Sequence, residues 1–169
     1  MTFFSNTSTH DTKLVKQIVK FAAGHIDISN VGISVKGSSY HFAGRAYSTL
    51  PYKSRWFPKR LKDYSKPRPR YLISCRIGAA NKFPYQTTGY RGRKIENGHW
   101  PTPLFTDWQE ALVFLVAHEL MHIQQFRYKT RLTEKETEAY GMARLVAWRE
   151  TKMATAETVA RENTITINS

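Results

Sequence analysis

Residues 106–126 read TDWQEALVFLVAHELMHIQQF, and the reading of this stretch decides the fold. From Trp108 to about Phe126 apolar side chains cover most of the helical circumference, the mark of a buried helix. Thr106 is placed as its N-cap, with Gln109 as the partner in a capping box. Asp107 and Glu110 fall in the first turn, where the helix dipole favours negative charge. Three polar side chains, His118, Glu119 and His122, interrupt the apolar run. Four residues advance a helix by about 400°, so the two imidazoles project from one face, one turn apart, and can share a metal ion. Glu119 stands about 100° round from His118, within reach of a water on that ion rather than of the ion itself. A buried polar group without a partner costs roughly 1–3 kcal/mol, so packing alone is a poor account of three of them.

Downstream, residues 133–150, TEKETEAYGMARLVAWRE, predict a second helix, opened by a capping box from Thr133 to Glu136. A catalytic zinc needs a third protein ligand and an open position. The candidates are Glu134, Glu136 and Glu138. At 100° per residue, Leu132, Ala143 and Val146 lie within about 40° of Ala139 and define the core-facing stripe. Glu136 lies about 60° from its centre, while Glu138 and Glu134 lie about 100° and 140° round the other way. The helical arc therefore favours Glu136 as third ligand and holds Glu138 in reserve. A solvated acidic first turn is the expected fate of the remaining carboxylates.

The two motifs resemble the gluzincin branch of the zincin metallopeptidases, in which an HExxH helix precedes a helix carrying a glutamate ligand, often as ExEAD. The match consists of His118-Glu-Leu-Met-His122 and Glu136-Thr-Glu138-Ala139-Tyr140. It covers roughly residues 71–150 and is closest in kind to small metallopeptidase-like proteins of bacteria and phages. The resemblance implies one Zn2+ per chain held by His118, His122 and Glu136, with Glu119 as general base in peptide-bond hydrolysis. It also implies an upstream strand lining the substrate cleft. The chain departs from the pattern at Tyr140, where the family often has an acidic residue that hydrogen-bonds a zinc histidine. Tyr128, Tyr140, His99 and Arg144 are candidates for stabilising an oxyanion.

Working back towards the N-terminus, residues 11–23 place Leu14, Val15, Ile18, Val19 and Ala22 at helical spacing, and Gly24 fits a helix stop. Val31–Val35 alternates with period two and reads as a strand, with residues 40–47 as its hairpin partner. Tyr71–Ile77 is the strongest strand signal in the chain. Residues 78–105 form a long irregular segment with room for a short hairpin around residues 85–90, the kind of segment that often lines a cleft. The expected architecture is a single zincin-like α+β domain over residues 1–150: a small twisted sheet, the HExxH helix and the glutamate helix. Residues 151–169 are expected to be a weak helix or a loose tail.

Composition narrows the setting. Cys75 is the only cysteine among 169 residues, which excludes an intramolecular disulfide and a thiolate-rich structural zinc site. No apolar run approaches the roughly 18 residues of a membrane span, and the first residues lack the features of a signal peptide. A cytoplasmic location is the expectation. Charge is divided unevenly: residues 1–106 hold 18 Lys and Arg against 4 Asp and Glu, whereas residues 107–169 hold 8 against 9. From Lys53 to Arg70 basic side chains alternate with Tyr52, Trp56, Phe57 and Tyr64 nearby, a composition suited to phosphates and unpaired bases. A protein or peptide substrate is the expected partner, with nucleic acid through residues 53–70 as a second. The rival reading is a non-enzymatic nucleic-acid-binding protein built on a zincin scaffold.

Overall fold

In a computed structural model the described residues are 3–39, 42–49, 68–79, 82–86 and 103–167, with side chains described as far as residue 158. Most of the basic segment 51–70, and His99 in the irregular region, lie outside them.

The chain begins with strand β1 (Phe4–Thr7), helix α1 (Thr12–Ala23) and strand β2 (Val31–Ser38). Asp11 caps α1 by accepting the Leu14 N–H at 2.8 Å, and Gly24 ends it with a φ of 57° that suits a glycine. β1 and β2 are parallel, so a crossover must join them, and α1 is that crossover. β1 escapes prediction because Phe4-Ser-Asn-Thr7 has no apolar alternation to mark it.

Strands β3 (Ala43–Tyr47) and β4 (Tyr71–Gly78) complete a sheet of order β1-β2-β4-β3. β2 and β4 are parallel, from Val31 opposite Tyr71 to Ser38 opposite Gly78. β3 is antiparallel to β4, so the expected hairpin between β2 and β3 does not form. Burial explains the insertion. Tyr71, Leu72, Ile73, Cys75, Ile77 and Gly78 of β4 are all buried, which suits an interior strand. β3 is half exposed and takes the edge. Residues 85–86 do form a short strand, β5 (Tyr85–Gln86), whose partner is β6 (Leu104–Phe105).

Helix α2 (Trp108–Tyr128) packs with α1 against the sheet. Val15, Ile18 and Val19 of α1, Val113, Val116, Leu120 and Ile123 of α2, and Ile33, Val35, Ile73 and Cys75 of the sheet form one core. The cap of α2 falls one residue later than expected. Asp107, not Thr106, accepts the Glu110 N–H at 2.9 Å, while the Thr106 N–H donates to Glu110 Oε2 at 2.8 Å. Glu110 thus takes the role expected of Gln109.

Helix α3 (Glu134–Ile167) lies against α2 and continues without a break past residue 150, so the stretch expected to be a weak helix or a loose tail is helical as far as Ile167. The architecture is α+β, as expected. No helix among the described residues is long and apolar enough to cross a membrane.

Candidate metal centre

The HExxH segment forms the middle of α2, and its three polar side chains sit as the helical spacing requires. The rings of His118 and His122 have centroids 5.0 Å apart. Both face α3, where the first turn brings up Glu134. Glu134 Oε2 lies 3.3 Å from His118 Nε2 and 3.6 Å from His122 Nε2. One donor atom from each of the three residues falls within 4.8 Å of the others, so this group can hold a metal ion.

Glu136, expected as third ligand, is elsewhere. Its Oε2 accepts from Gln125 Nε2 at 2.9 Å, and hydrogen bonds from Gln125 and Thr133 hold its carboxyl below the usual range. Glu138 is close to the site in another role, with Oε1 3.6 Å from His118 Nδ1. The helical-arc reading failed because it took Ala139 as the core-facing reference. Ala139 is exposed, as is Val146, and it is Thr137, Gly141 and Leu145 that turn inward. That rotation carries Glu134 and Glu138 towards α2 and Glu136 to the flank.

Donor chemistry fits a divalent ion. Two imidazoles and one carboxylate are a familiar zinc set. Glu134 Oε2 is buried and accepts no hydrogen bond, and His118 Nδ1 is likewise buried without one. Such orphaned polar atoms are rare in native interiors and need an explanation. Burial, with His122 nearby, pushes His118 down to about 4, so its ring is neutral near pH 7, as a metal ligand requires.

Glu119 lies between these carboxylates and the edge strand β3. It is buried and receives a backbone hydrogen bond from Ala46 of β3. Burial and the neighbouring Glu134 push its pKa up to about 8, against the opposing pull of Ala46 and Arg45. Gly44 makes room for it: a Cβ there would lie 2.6 Å from Glu119 Cγ and collide with Oε1. Burial, then Glu134, likewise raises Glu138 to about 7.

His122 is oriented from behind. Its Nδ1 is 3.1 Å from Gln125 Oε1, and Gln125 Nε2 donates towards Thr133 O at 3.1 Å and Glu136 Oε2 at 2.9 Å. Those two acceptors fix the amide's orientation, so Nδ1 carries the proton and the Nε2 lone pair is left towards Glu134.

Sequence reasoning missed Gly44, Ala46 and Gln125. A glycine inside a strand is a signal of close approach, and Gln125, three residues after His122, shares its helix face. The oxyanion candidates among the described residues are engaged or exposed elsewhere. Tyr140 donates to Ala23 O at 2.8 Å and Arg144 to Phe21 O at 2.5 Å, both closing the end of α1. Tyr128 is exposed at the end of α2, and His99 lies outside the described residues. In comparisons with protein-family models, curated proteins and solved structures, nothing matches this chain.

Proposed function

We propose that the chain is a zinc-dependent metallopeptidase of the gluzincin type, with His118, His122 and Glu134 as ligands and Glu119 as general base. The observation that carries the reading is the buried, unpartnered Glu134 Oε2, facing both imidazole Nε2 atoms. Moving the ligand position back by two residues puts an acidic residue at the end of the family pattern, with Thr137 in place of its alanine. Glu134 and Glu138 keep the four-residue spacing of the family pattern, with Glu138 beside His118 Nδ1, so the departure at Tyr140 no longer arises. Among the described residues three protein donors converge, the number a catalytic zinc takes from its protein.

A zinc ion bound there supplies Lewis acidity, polarising a carbonyl oxygen and acidifying water. Glu119 accepts the proton of the attacking water and passes it to the leaving amine. A divalent cation held by these ligands would draw Glu119 back towards its ionised form, against burial and Glu134. Gly44 and Ala46 fix where its carboxylate sits, the Gln125 amide steers the His122 ring, and Glu138 Oε1 stands 3.6 Å from His118 Nδ1. Elemental analysis of purified protein should find about one zinc per chain. Zinc-loaded protein should cleave a mixed peptide library, and Glu119→Gln should keep the zinc and lose the cleavage. Equal zinc in wild type and His122→Ala would overturn the metal site. Zinc binding without any cleavage would favour the non-enzymatic rival.

A second reading, contact with nucleic acid, is favoured by the charge excess of residues 1–106 and the aromatic residues set among the charges of residues 53–70. If six or more phosphates are contacted, affinity should fall by orders of magnitude between about 50 and 200 mM salt. A polarisation titration with single- and double-stranded DNA and RNA that shows no salt-sensitive binding removes it.

A further inference from the structure

Gln125 stands where the two halves of the candidate metal centre meet. It is 2% exposed, and every polar group it carries is used. Its backbone carbonyl accepts the Thr130 N–H at 3.1 Å, in the turn that leaves α2. Lys129, in the left-handed conformation with φ 53°, allows that turn. Its side-chain Nε2 reaches Thr133 O at 3.1 Å, Thr133 Oγ1 at 3.3 Å and Glu136 Oε2 at 2.9 Å, at the start of α3. Its Oε1 faces His122 Nδ1 at 3.1 Å. One residue therefore holds the turn out of α2, the first residues of α3 and a ligand ring.

We infer that Gln125 is a positioning residue that sets the register of α3 against α2, presenting Glu134 rather than Glu136 to the histidines while fixing the tautomer of His122. This rests on the reading of His118, His122 and Glu134 as metal ligands. The chemistry is directional. Glu136 is an acceptor and occupies an amide N–H, which turns the amide oxygen to His122 and leaves Nε2 of that ring free to bind. Satisfying Glu136 in this way also removes it from competition for the metal. Glu134, two residues earlier and 200° round the helix at 100° per residue, is left facing the rings.

The test is zinc affinity, measured by competition with a chromophoric chelator. Gln125→Leu keeps the volume but removes both ends of the bridge, and should weaken zinc binding about 10–100-fold, the usual range for a residue that orients a ligand. Gln125→Glu retains an acceptor for His122 but sets a carboxylate against Glu136, and should weaken it similarly. Adding Glu136→Gln to Gln125→Glu reverses the polarity of the bridge to residue 136 and should recover at least about threefold of the lost affinity, short of wild type because the Thr133 carbonyl then faces a carboxylate. A residue that merely packs would not show that rescue. Wild-type affinity in Gln125→Leu, or no rescue in the double variant, overturns the inference. His122→Ala separates the two failures: unchanged zinc affinity in that variant overturns the metal site itself.

Discussion

Helix α2 buries two glutamates nine residues apart, and they have opposite fates. Glu110, near its start, has every oxygen occupied. Oε1 accepts from Arg149 Nε at 2.9 Å, and Oε2 from Arg149 Nη2 at 2.7 Å and the Thr106 N–H at 2.8 Å. Burial raises its pKa, but the bonds from Arg149 and Thr106 outweigh this, and it sits below the ordinary value. Glu119, in mid-helix, has among the described residues the Ala46 bond and the charge of Arg45, which do not offset burial, and rises to about 8. Near Glu119 stand two more carboxylates, Glu134 and Glu138, with no Lys or Arg ion-paired to either among the described residues. The first cluster is an ion pair closed on itself, tying α3 to α2. The second is a set of acceptors and lone pairs waiting for positive charge, which is the electrostatic pattern of a functional site.

Removing the reactive carboxylate should give the largest effect. Glu119→Gln should lower peptide hydrolysis by roughly 10³-fold, within the range of a lost general base, at unchanged zinc content. Activity within tenfold of wild type would break the contrast, because Glu119 would then be as structural as Glu110.

Arg149→Ala probes the closed cluster. It strands Glu110 in the interior and should cost about 2–3 kcal/mol of unfolding free energy, discounted because Arg149 is more than a third exposed. Zinc affinity should not change. Glu110 has a folded pKa below its unfolded value, so its contribution is complete above about 4.5 and is lost as pH falls through the folded value. Urea titrations at pH 7 and pH 3 should therefore show the gap between wild type and variant closing in acid. A gap that stays constant would assign the loss to packing of the arginine stem instead.

The glutamates of α3 sharpen the site itself. Glu134→Gln should weaken zinc by roughly 100-fold and Glu136→Gln by clearly less, because only Glu134 offers a ligand atom. The reverse order would restore the assignment drawn from the helical arc. The smallest effect is expected at Lys152, which meets Asp107 at 2.6 Å with both side chains over a third exposed. Lys152→Ala should change stability by less than about 1 kcal/mol and be sensitive to salt. A cost as large as that of Arg149→Ala would mean that burial is not what separates the two pairs.

Much of this was legible in the chain because it is local. The spacing of His118, Glu119 and His122 fixes their relative directions once a helix forms, and the apolar run around them makes that helix unavoidable. Gly24 ends α1 by a rule that acts within one turn. The α+β class followed from the same periodicities. What tertiary structure alone decided lies between elements. The insertion of β4 between β2 and β3 depends on which strand has most apolar surface to hide, a comparison that no single segment contains. Which glutamate faces the histidines, Glu134 and not Glu136, depends on the rotation of α3 about its own axis. Helical spacing says which of its residues share a face but leaves open which face meets α2. The contacts between the two helices supply that rotation, and with it the carboxylate that faces the histidines.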